Sequence, residues 1–404
     1  MRVNPVLIAG AGPVGLTAAF VLARAGIPVT VFERATEPAE DLRASTWHPP
    51  TLDMMAALGL IDDILAVGLI ARYTQYRERR TGAVAQFDLE LLCGETDHPY
   101  RVQYEQFRYT RLVHERLKAF PHARVLFGVA ANGVRQGAAG VELSVAGSNR
   151  KHRGDFLIAA DGSRSALRES LGIEFEGFTY PERFYSVSTP FDFAARLERL
   201  CHVNYVADID EWCVLLRVPG LWRCLFPTRV DEADDEVLSD ERTEALLQGV
   251  YAKPGRYRTV HRTIYRVHQR VAKHYQLGRV FLAGDAAHVN NPLGGMGMNG
   301  GLHDAINLAG KLVGVYRGEA DEQLLERYEH ERRPIAIEHI NASTARNKQL
   351  LEERDPDARR RAQDEMCRIA ADPAAAKAFL MKGSMIEALR AAERLAGNGA
   401  ALTV

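Results

Sequence analysis

The hydrophobic pattern at the start of the chain is that of a strand, a helix and a second strand. Val6–Ala9 is a short apolar run, residues 16–25 repeat apolar side chains at helical spacing, and residues 27–32 form a second apolar run. Gly26 separates the helical pattern from that second run. A strand, a helix and a strand in this order predict a βαβ unit whose two strands are parallel.

The pattern continues with short helices and strands. Residues 50–58 have helical spacing, which continues to residue 65, and residues 73–91 alternate apolar and polar side chains as strands do. Residues 104–120 are a helix candidate. Residues 125–145 combine alternation with glycine turns, which predicts a β meander.

Two changes of composition divide the chain into domains. Aromatic and β-branched residues dominate from 178 to 270 and predict a mostly antiparallel sheet, whereas the chain from about 346 is rich in Ala, Arg and Glu and predicts helices. We therefore predict one divided domain of residues 1–177 and 271–345, an inserted domain of residues 178–270, and C-terminal helices over residues 346–404. Residues 73–100 can join either of the first two.

Glycines form the turn between the first strand and the first helix. Gly10 permits a tight turn, Gly12 lets the backbone approach a pyrophosphate, and Gly15 lets helix and strand pack closely. Glu33, at the end of the second apolar run, can accept hydrogen bonds from ribose hydroxyls. This motif predicts a dinucleotide site. The other residues that we assign to it here are Pro13, Val14 and Arg34.

A second glycine-rich segment predicts the other end of the same ligand. Asp285 follows an apolar run, and its carboxylate needs donors that ribitol or ribose hydroxyls supply. Gly295 and Gly297 precede a helix that we expect to start near Asn299, so that the backbone amides of Met298 and Asn299 face a flat ring. Such amides stabilise the negative charge of a reduced flavin by roughly 1 kcal/mol. A cofactor bound at both ends is predicted to be FAD.

A third segment makes the pattern specific. Residues 161–168, Asp-Gly-Ser-Arg-Ser-Ala-Leu-Arg, follow an apolar run and lie between the two glycine-rich segments. In this order and spacing the three segments resemble those of the class A flavoprotein aromatic hydroxylases, the p-hydroxybenzoate and phenol hydroxylase family. The resemblance implies an α/β fold with a Rossmann-type FAD-binding domain, an inserted, mostly antiparallel β-sheet substrate domain and a C-terminal helical segment.

The resemblance also assigns cofactor-binding residues. It implies that Arg43 contacts the FAD pyrophosphate and the incoming nicotinamide nucleotide, a role that suits a bidentate guanidinium. It places Gln106 near the FAD and links Asp161 and Arg168 to both FAD and NAD(P)H. Arg168 can pair with Asp161 or with phosphate, and a purely structural ion pair is the alternative.

Two candidates for the reaction lie near the expected flavin ring. The family counterpart of Pro292 lines the space where oxygen reacts with the flavin. Asn291 stands where many relatives have a further proline, which makes it a candidate to face the substrate. His48 lies near the expected cavity, and a solvated loop histidine is the simpler interpretation.

A predicted hairpin supplies the third candidate, Arg223. With a two-residue turn at 219–220, Leu216 pairs with Arg223 and Arg217 pairs with Trp222. Opposed residues share a face of the sheet, so the two arginines lie on opposite faces. The resemblance places Arg223 on the face that covers the flavin, where we expect it to anchor an anionic or phenolic substituent. Solvation of both arginines is the alternative.

Composition limits the partners. The chain has 404 residues with a net charge of −1, which gives no electrostatic attraction to nucleic acid or to an acidic membrane. Its five cysteines are scattered without metal or disulfide spacing, which fits a reducing compartment. No apolar run approaches the length of a membrane span. We expect a cytoplasmic protein without metal, nucleic acid or membrane partners, and leave open whether it forms a homodimer.

The resemblance implies an activity. NADH or NADPH reduces the FAD, O2 adds at flavin C4a to give a hydroperoxide, and its distal OH passes to an electron-rich aromatic or heteroaromatic ring, usually a phenol. A flavin-dependent halogenase is one alternative, although its Trp-x-Trp-x-Ile-Pro segment is missing here. The others are an NAD-dependent dehydrogenase without flavin and a flavin-fold carrier or escort protein without redox activity. The substrate, the choice of NADH or NADPH, and loss of a ring substituent stay open.

Overall fold

The computed structural model describes residues 4–38, 40 and 44–397. The strands in this part of the chain are β1 Val6–Ala9, β2 Val29–Glu33, β3 Thr46–Trp47, β4 Leu69–Ala71, β5 Tyr73–Glu78, β6 Gly82–Asp88, β7 Arg101–Gln103, β8 Ala123–Phe127, β9 Ala131–Gly137, β10 Gly140–Val145, β11 Lys151–Gly154, β12 Leu157–Ala159, β13 Phe175–Thr189, β14 Val203–Ala207, β15 Cys213–Val218, β16 Leu221–Pro227, β17 His261–Ala272, β18 Gln276–Leu277, β19 Val280–Leu282 and β20 His288–Val289.

The α-helices of the described residues are α1 Pro13–Arg24, α2 Pro49–Ala57, α3 Ile61–Leu65, α4 Gln106–Leu117, α5 Ala166–Ser170, α6 Asp234–Val237, α7 Asp240–Val250, α8 Met296–Arg317, α9 Arg327–Ile335, α10 Ala342–Glu352, α11 Pro356–Ala371, α12 Pro373–Gly383 and α13 Ile386–Ala396.

A six-stranded sheet supports the cofactor side of the molecule. Its strand order is β18-β19-β12-β1-β2-β8, and all neighbours are parallel except β18 and β19. Every residue of β1, β12 and β19 is buried, as expected for parallel strands covered by helices on both faces. The predicted βαβ unit is confirmed, because β1 and β2 pair in parallel on either side of α1.

An eight-stranded sheet forms the second layer. Its order is β20-β17-β13-β16-β15-β14-β5-β6, and only the β14–β5 pair is parallel. The antiparallel sheet predicted for the middle of the chain is therefore present, and β5 and β6 extend it at one edge. One face packs against α7, and the other packs towards the loop before α8.

The structure differs from the predicted pattern in two places. β8 joins the parallel sheet beside β2, and only β9, β10 and β11 form an antiparallel meander. A short apolar run has the same appearance in both kinds of sheet, so periodicity could not separate them. In addition, α7 lies in the stretch predicted as sheet, where the side chain of Ser239 caps it by accepting from the backbone N–H of Arg242.

The predicted domain boundaries fall inside continuous elements. Residue 177 lies in β13, residue 270 lies in β17, and residue 345 lies in α10. The two long strands therefore pass from the cofactor side to the large sheet without a linker. The division of the chain into domains stays a prediction.

One helical stretch runs from residue 327 to residue 352 and changes type midway. Pro334 lies in α9, and a π-helical turn, Ala336–Asn341, separates α9 from α10. Proline lacks an N–H and clashes with the preceding helical turn, so a wider turn near it preserves the helix. The result places α9 against α8, which matters for the site below.

Candidate active site

The carboxyl ends of four neighbouring strands carry predicted cofactor residues. Gly10 follows β1, Glu33 ends β2, Asp161 follows β12, and Asp285 follows β19. These four strands are adjacent in the sheet in the order β19-β12-β1-β2. Parallel strands end at one edge, so segments far apart in sequence meet there, at the edge where open α/β sheets bind ligands.

The turn after β1 brings three backbones into close approach. Gly10 has φ +101°, and a Cβ there would lie 2.2 Å from the carbonyl oxygen of Ala160. A Cβ on Gly15 would lie 2.0 Å from the carbonyl oxygen of Gly10. The turn and packing roles predicted for these glycines are confirmed. At Gly12 a Cβ would meet nothing within 4 Å, so space is open where α1 begins with Pro13.

Glu33 is held by the backbone on both sides. Its Oε2 accepts from the N–H of Ala11 at 2.7 Å, and its Oε1 accepts from the N–H of Ala35 at 2.9 Å. A carboxylate has about four acceptor positions, so these bonds leave capacity for ribose hydroxyls. Arg34, the next residue, is exposed. Glu33 therefore fixes the shape of the glycine turn in addition to its predicted ligand role.

Asp161 orders its own segment. It accepts hydrogen bonds from Ser165 Oγ at 2.6 Å and from the N–H of Leu167 at 3.3 Å. Burial raises the pKa of Asp161 above its usual value, against the opposing effect of the Ser165 bond. These contacts set the start of α5 and leave the side chain at the sheet edge, half-buried.

Arg168 departs from expectation. Its guanidinium donates to the carbonyl oxygens of Ser163 and Ala286 at 3.0 and 3.1 Å and lies 3.9 Å from the centre of the Phe175 ring. No ion pair with Asp161 is present among the described residues; the carbonyl groups take its place. Because Ala286 belongs to the turn that carries Asp285, Arg168 connects the middle motif to the last one.

The N-terminus of α8 lies at the last motif. The helix begins at Met296, three residues before the expected start at Asn299, with Gly295 as its N-cap at φ +69°. A Cβ on Gly295 would lie 2.9 Å from Thr46 Cβ, so only glycine fits this close turn. No side chain caps the helix among the described residues. The amides of its first turn, including Gly297 and Met298, therefore remain available for a ligand.

The side chain of Asn299 matters more than expected. Its Nδ2 donates to the carbonyl oxygens of Thr46 and Gly295 at 2.9 and 2.7 Å, and its Oδ1 accepts from the N–H of His48 at 3.0 Å. All three partners are backbone atoms, which an amide side chain can satisfy from both ends. Asn299 thus fastens the β3–α2 segment to the start of α8.

Val14 joins the two ends of the site. A Cβ on Gly284 or on Gly301 would lie 2.7 Å from Val14 Cγ2. Both glycines therefore let α1 and α8 approach closely at the turn that carries Asp285. That turn is a short 3₁₀ segment, Gly284–Ala286, in which Asp285 is exposed.

A buried ionic cluster lies behind the Asp285 turn, and the sequence reasoning missed it. The Asp304 carboxylate accepts from the N–H of Gly284 at 3.2 Å, from His288 Nε2 at 2.9 Å and from Arg332 Nε at 2.7 Å. Asp304 is fully buried, and the neighbouring Arg332 and His288 charges lower its pKa against the larger opposing effect of burial. The available signal was an aspartate inside an apolar helical pattern, a position where acids are rarely buried unpaired.

His48 is buried, so the simpler interpretation of a solvated loop histidine is wrong. Its Nε2 lies 2.8 Å from the carbonyl oxygen of Gly294, and Nδ1 has no hydrogen-bond partner among the described residues. A carbonyl only accepts, so Nε2 carries the proton and Nδ1 is left as an acceptor. Burial, assisted by the Arg101 charge, holds the pKa of His48 well below its usual value, and the ring is neutral.

The predicted hairpin is confirmed in detail. Leu216 pairs with Arg223 and Arg217 pairs with Trp222. Arg223 is 4% exposed, so the alternative in which both arginines are solvated is wrong. Its face of the sheet includes Trp212, whereas Arg217 lies over the Trp222 ring at 5.4 Å on the opposite face.

The loop before α8 packs against the face that carries Arg223. Leu293 belongs to the same buried apolar cluster as Trp212, while Pro292 is half-buried and accepts from the N–H of Gly295 at 2.9 Å. Asn291 is fully buried, and its Nδ2 has no hydrogen-bond partner among the described residues. The Asn291 Oδ1 accepts from the N–H of Leu293 at 3.1 Å, so only the NH2 group of this amide is without a protein partner in the described part of the chain.

Two further cofactor assignments are Gln106 and Arg43. Gln106 is the first residue of α4, half-buried, and its N–H donates to the carbonyl oxygen of Ala44 at 2.9 Å. Arg43 lies outside the described residues. Both stay predictions as cofactor contacts.

These residues fit an FAD molecule. The open space at Gly12 and the start of α1 suit a pyrophosphate, and Glu33 and Asp285 offer carboxylates on either side of it. The uncapped start of α8 suits the electron-rich edge of a flavin ring. Within the described ranges, no group of three or more His, Cys, Asp or Glu residues could hold a metal ion. Over the same ranges, every helix is too short or too polar for a transmembrane span.

Comparison with known proteins identifies the family. Residues 4–343 match the family described as FAD binding domain. Para-nitrophenol 4-monooxygenase of Pseudomonas sp. (strain WBC-3) is 33% identical over 396 residues, which cover 96% of this chain and 97% of that protein. The chain belongs to the class A FAD-dependent aromatic hydroxylases. 6-Hydroxy-3-succinoylpyridine 3-monooxygenase of Pseudomonas putida (strain DSM 28022 / S16) is 33% identical to this hydroxylase, over 87% of this chain and 90% of its own.

A solved structure agrees with the family assignment. The crystal structure of p-nitrophenol 4-monooxygenase from Pseudomonas putida DLL-E4 matches this hydroxylase with a TM-score of 0.90 and 30% identity, over 96% of this chain and 99% of that one. The α/β fold with its FAD-binding sheet, large second sheet and C-terminal helices is therefore that of the family. NAD(P)H use, cytoplasmic location and a homodimer stay predictions.

Proposed function

We propose that this hydroxylase uses NADH or NADPH and O2 to hydroxylate a six-membered aromatic or heteroaromatic ring that carries a hydroxyl group. The observation that carries the proposal is a cofactor edge whose α8 terminus lies beside a buried apolar cluster, on a sheet face that also carries the buried Arg223. The names of two relatives, para-nitrophenol 4-monooxygenase and 6-hydroxy-3-succinoylpyridine 3-monooxygenase, describe oxygenation of such rings.

Each part of the chain has a proposed task. Bound FAD supplies the electron transfer and oxygen chemistry. The first amides of α8 stabilise negative charge on the bound ring, and the apolar cluster around Trp212 and Leu293 excludes water. Arg223 orients the substrate, and Pro292 lines the space between the substrate and the cofactor.

His48 is proposed to accept a hydrogen bond from the substrate. Its ring is neutral, its Nε2 proton is engaged with Gly294, and Nδ1 is a buried acceptor without a partner among the described residues. A neutral imidazole of this kind accepts a hydrogen bond from a substrate hydroxyl, directly or through water, whereas its lowered pKa makes it a weak base.

The nucleotide is proposed to bind at the glycine-turn side. Arg43 precedes Ala44 in the sequence, and the N–H of Gln106 donates to the carbonyl oxygen of Ala44. An arginine there would attract the phosphates of NADH or NADPH while the nicotinamide delivers its hydride. The test is the rate of anaerobic flavin reduction, which Arg43→Ala should slow without changing the fold.

The experiment for the whole proposal follows the bound flavin. The FAD-loaded protein is mixed anaerobically with NADH or NADPH and with a panel of phenols, aromatic acids and hydroxypyridines, and product masses are measured after O2 is admitted. We expect at least one ring to accelerate flavin reduction and to gain one oxygen, either as an added hydroxyl or in place of a ring substituent. Protein that does not bind FAD, or reduction that no ring accelerates, would refute the proposal; a halogenated product would favour the halogenase alternative.

A further inference from the structure

Arg101 is a buried guanidinium that neither the sequence motifs nor the cofactor site uses. It begins β7 and is 4% exposed. Its Nη2 donates to the carbonyl oxygen of Gly383 at 2.8 Å, whereas its Nε and Nη1 have no hydrogen-bond partner among the described residues. Within the same residues no carboxylate lies within 4 Å of it.

Three other buried arginines show how such a group can be compensated. Arg332 pairs with Asp304 at 2.7 Å, and Arg359 pairs with Glu78 at 2.5 Å. Arg168 has no carboxylate, but two of its nitrogens bond to carbonyl oxygens and its plane covers an aromatic ring. Burying a charge without compensation costs several kcal/mol. Arg101 has the Gly383 carbonyl as acceptor, the Tyr205 phenol beside it and no carboxylate partner among the described residues.

The position of Arg101 is at the seam between the cofactor and the large sheet. It pairs with Ala71 across β7 and β4, and opposed residues share a face. Ala71 belongs to the buried cluster that also contains Leu293, Trp212 and Tyr205. The side chain of Arg101 therefore enters the cluster that we assign to the substrate.

The polar groups around Arg101 converge on the Gly294 turn. Arg101 lies close enough to Tyr205 to lower the pKa of its phenol, although burial has the larger effect and raises that pKa overall. It also contributes to the lowered pKa of His48, whose Nε2 donates to the Gly294 carbonyl. A hydrogen bond with the Gly294 backbone also lowers the pKa of the Tyr205 phenol. A cation, a neutral phenol and a neutral imidazole thus surround one turn at the expected flavin ring.

The C-terminal helices complete this corner. Gly383 ends α12, and Ser384 after it is fully buried with no hydrogen-bond partner for its Oγ among the described residues. Met385 follows with φ +65° and packs in a buried cluster with Met296, the first residue of α8. The turn at 383–385 therefore lies beside Arg101, and its Ser384 is a second buried side chain with an unsatisfied polar atom.

We propose that Arg101 binds the negatively charged oxygen of the aromatic substrate, a phenolate or a ring carboxylate, and so selects anionic rings over neutral ones. This inference rests on the proposed function. A charged oxygen at Nε or Nη1 would accept a charge-assisted hydrogen bond from a guanidinium nitrogen that has no protein partner among the described residues. Arg101 acts beside Arg223, which lies on the sheet face of the same cluster.

The test uses FAD-loaded protein and two matched pairs of ligands at a pH where the acid of each pair is ionised. One pair is 4-nitrophenol and its methyl ether 4-nitroanisole; the other is 4-methoxybenzoate and its methyl ester. Kd is measured from the change in the visible flavin spectrum. We expect wild type to prefer the anion in at least one pair, and Arg101→Met to reduce that preference about 10- to 100-fold, since hydrogen bonds to charged groups are worth roughly 1.5–3 kcal/mol. The pair that responds identifies the oxyanion as phenolate or carboxylate.

Control variants separate binding from docking of the C-terminal helices. Arg390 donates to Glu95 at 2.5 Å and holds α13 against the body of the protein, so Arg390→Met weakens docking without removing the proposed anion site. Arg101→Lys keeps the charge but places it on a single nitrogen, and we expect an intermediate preference; it also serves if Arg101→Met does not fold. Equal loss of anion and neutral binding in the Arg101 variants, the same loss of preference in Arg390→Met, or no preference in wild type would overturn the inference. If one of these three results is found and wild type still hydroxylates a ring, the inference about Arg101 fails and the proposed function stands.

Discussion

At the scale of residues, the candidate site is shaped by polar side chains that bond to the backbone. Glu33 holds one amide of the glycine turn and one amide after β2. Asn299 joins β3 to α8, and Arg168 holds the Asp285 turn through a carbonyl. Buried backbone groups must be satisfied, and a side chain with two or more polar atoms can satisfy groups from separate segments. These residues therefore position the turns that face the ligand, whatever further contact each makes with it.

Asp285→Ala should weaken FAD binding far more than substrate binding, because its expected partners are cofactor hydroxyls. The loss of charge-assisted hydrogen bonds corresponds to roughly a 10- to 100-fold rise in FAD Kd. Flavin fluorescence during titration of the apoprotein measures it. Asp357→Ala, which removes an acid on the exposed face of α11, is the control. An unchanged FAD Kd in Asp285→Ala would remove Asp285 from the site.

Arg223→Met and Arg217→Met test the assignment of faces in the hairpin. Arg223 is buried on the face towards the α8 loop, so its loss should raise the Kd of an anionic or phenolic substrate about 10- to 100-fold, as for a charged hydrogen bond. Arg217 bonds to Asp192 at 2.9 Å on the opposite face, and its replacement should leave that Kd nearly unchanged. Substrate titration of both FAD-loaded variants decides; a larger effect at Arg217 would contradict the assignment.

At the scale of elements, the Asp285 turn is positioned by residues of α8 and α9 that lie behind it, away from the expected cofactor. α8 supplies Asp304 and α9 supplies Arg332, and their ion pair reaches the N–H of Gly284 from behind. The π-helical turn after Pro334 lets α9 continue into α10. A cluster buried on all sides transmits any rearrangement to the turn, because packed interiors do not absorb displacement freely.

Asp304→Asn should therefore lower both stability and FAD affinity. Breaking a buried ion pair costs about 3–5 kcal/mol, and the Gly284 amide loses a charged acceptor. Lys311→Met is the matched control, since it breaks the buried Lys311–Glu331 pair between α8 and α9 without touching Gly284. Denaturant unfolding and FAD titration of both variants should show a similar stability loss and a weakened FAD Kd only for Asp304→Asn. Equal FAD affinity in the two variants would show that the cluster is purely structural.

At the scale of the whole molecule, the cofactor edge, the large sheet and the C-terminal helices enclose one buried region. That region contains histidines that burial keeps neutral. Burial lowers the pKa of His303 to about 3, and its Nε2 bonds to Thr51 Oγ1 at 3.0 Å. Burial also lowers the pKa of His48.

The stability of the protein should consequently fall as pH drops below about 6.5, the ordinary pKa of histidine. Between that pH and the lowered pKa the unfolded chain binds a proton that the folded protein does not, so each such histidine contributes about 1.4 kcal/mol of destabilisation per pH unit. Denaturant unfolding between pH 7.5 and 5 measures the slope. His303→Gln should reduce it by one proton, whereas His330→Gln, at an exposed position, serves as the control for loss of an imidazole. Equal slopes in wild type and His303→Gln would contradict a neutral buried ring.

The sequence by itself determined the parts of the molecule that depend on local chemistry. A Cβ at Gly10 or Gly15 would lie 2.2 or 2.0 Å from a backbone carbonyl oxygen. Only glycine fits at these positions, so the motif predicted the turn. The hairpin register followed from a two-residue turn and a side-chain period of two. The spacing of apolar residues is also a local property, and it predicted α1 and the antiparallel sheet.

The tertiary structure alone decided which distant polar groups meet. The apolar run of β8 fits a parallel or an antiparallel sheet equally well. Its pairing with β2 places it in the parallel sheet. His48 became buried, Asn299 acquired three backbone partners, and Asp304 acquired Arg332 because strands and helices far apart in sequence pack together. Periodicity describes one element at a time, whereas burial and pairing of a charge depend on the elements packed against it, which no local pattern contains.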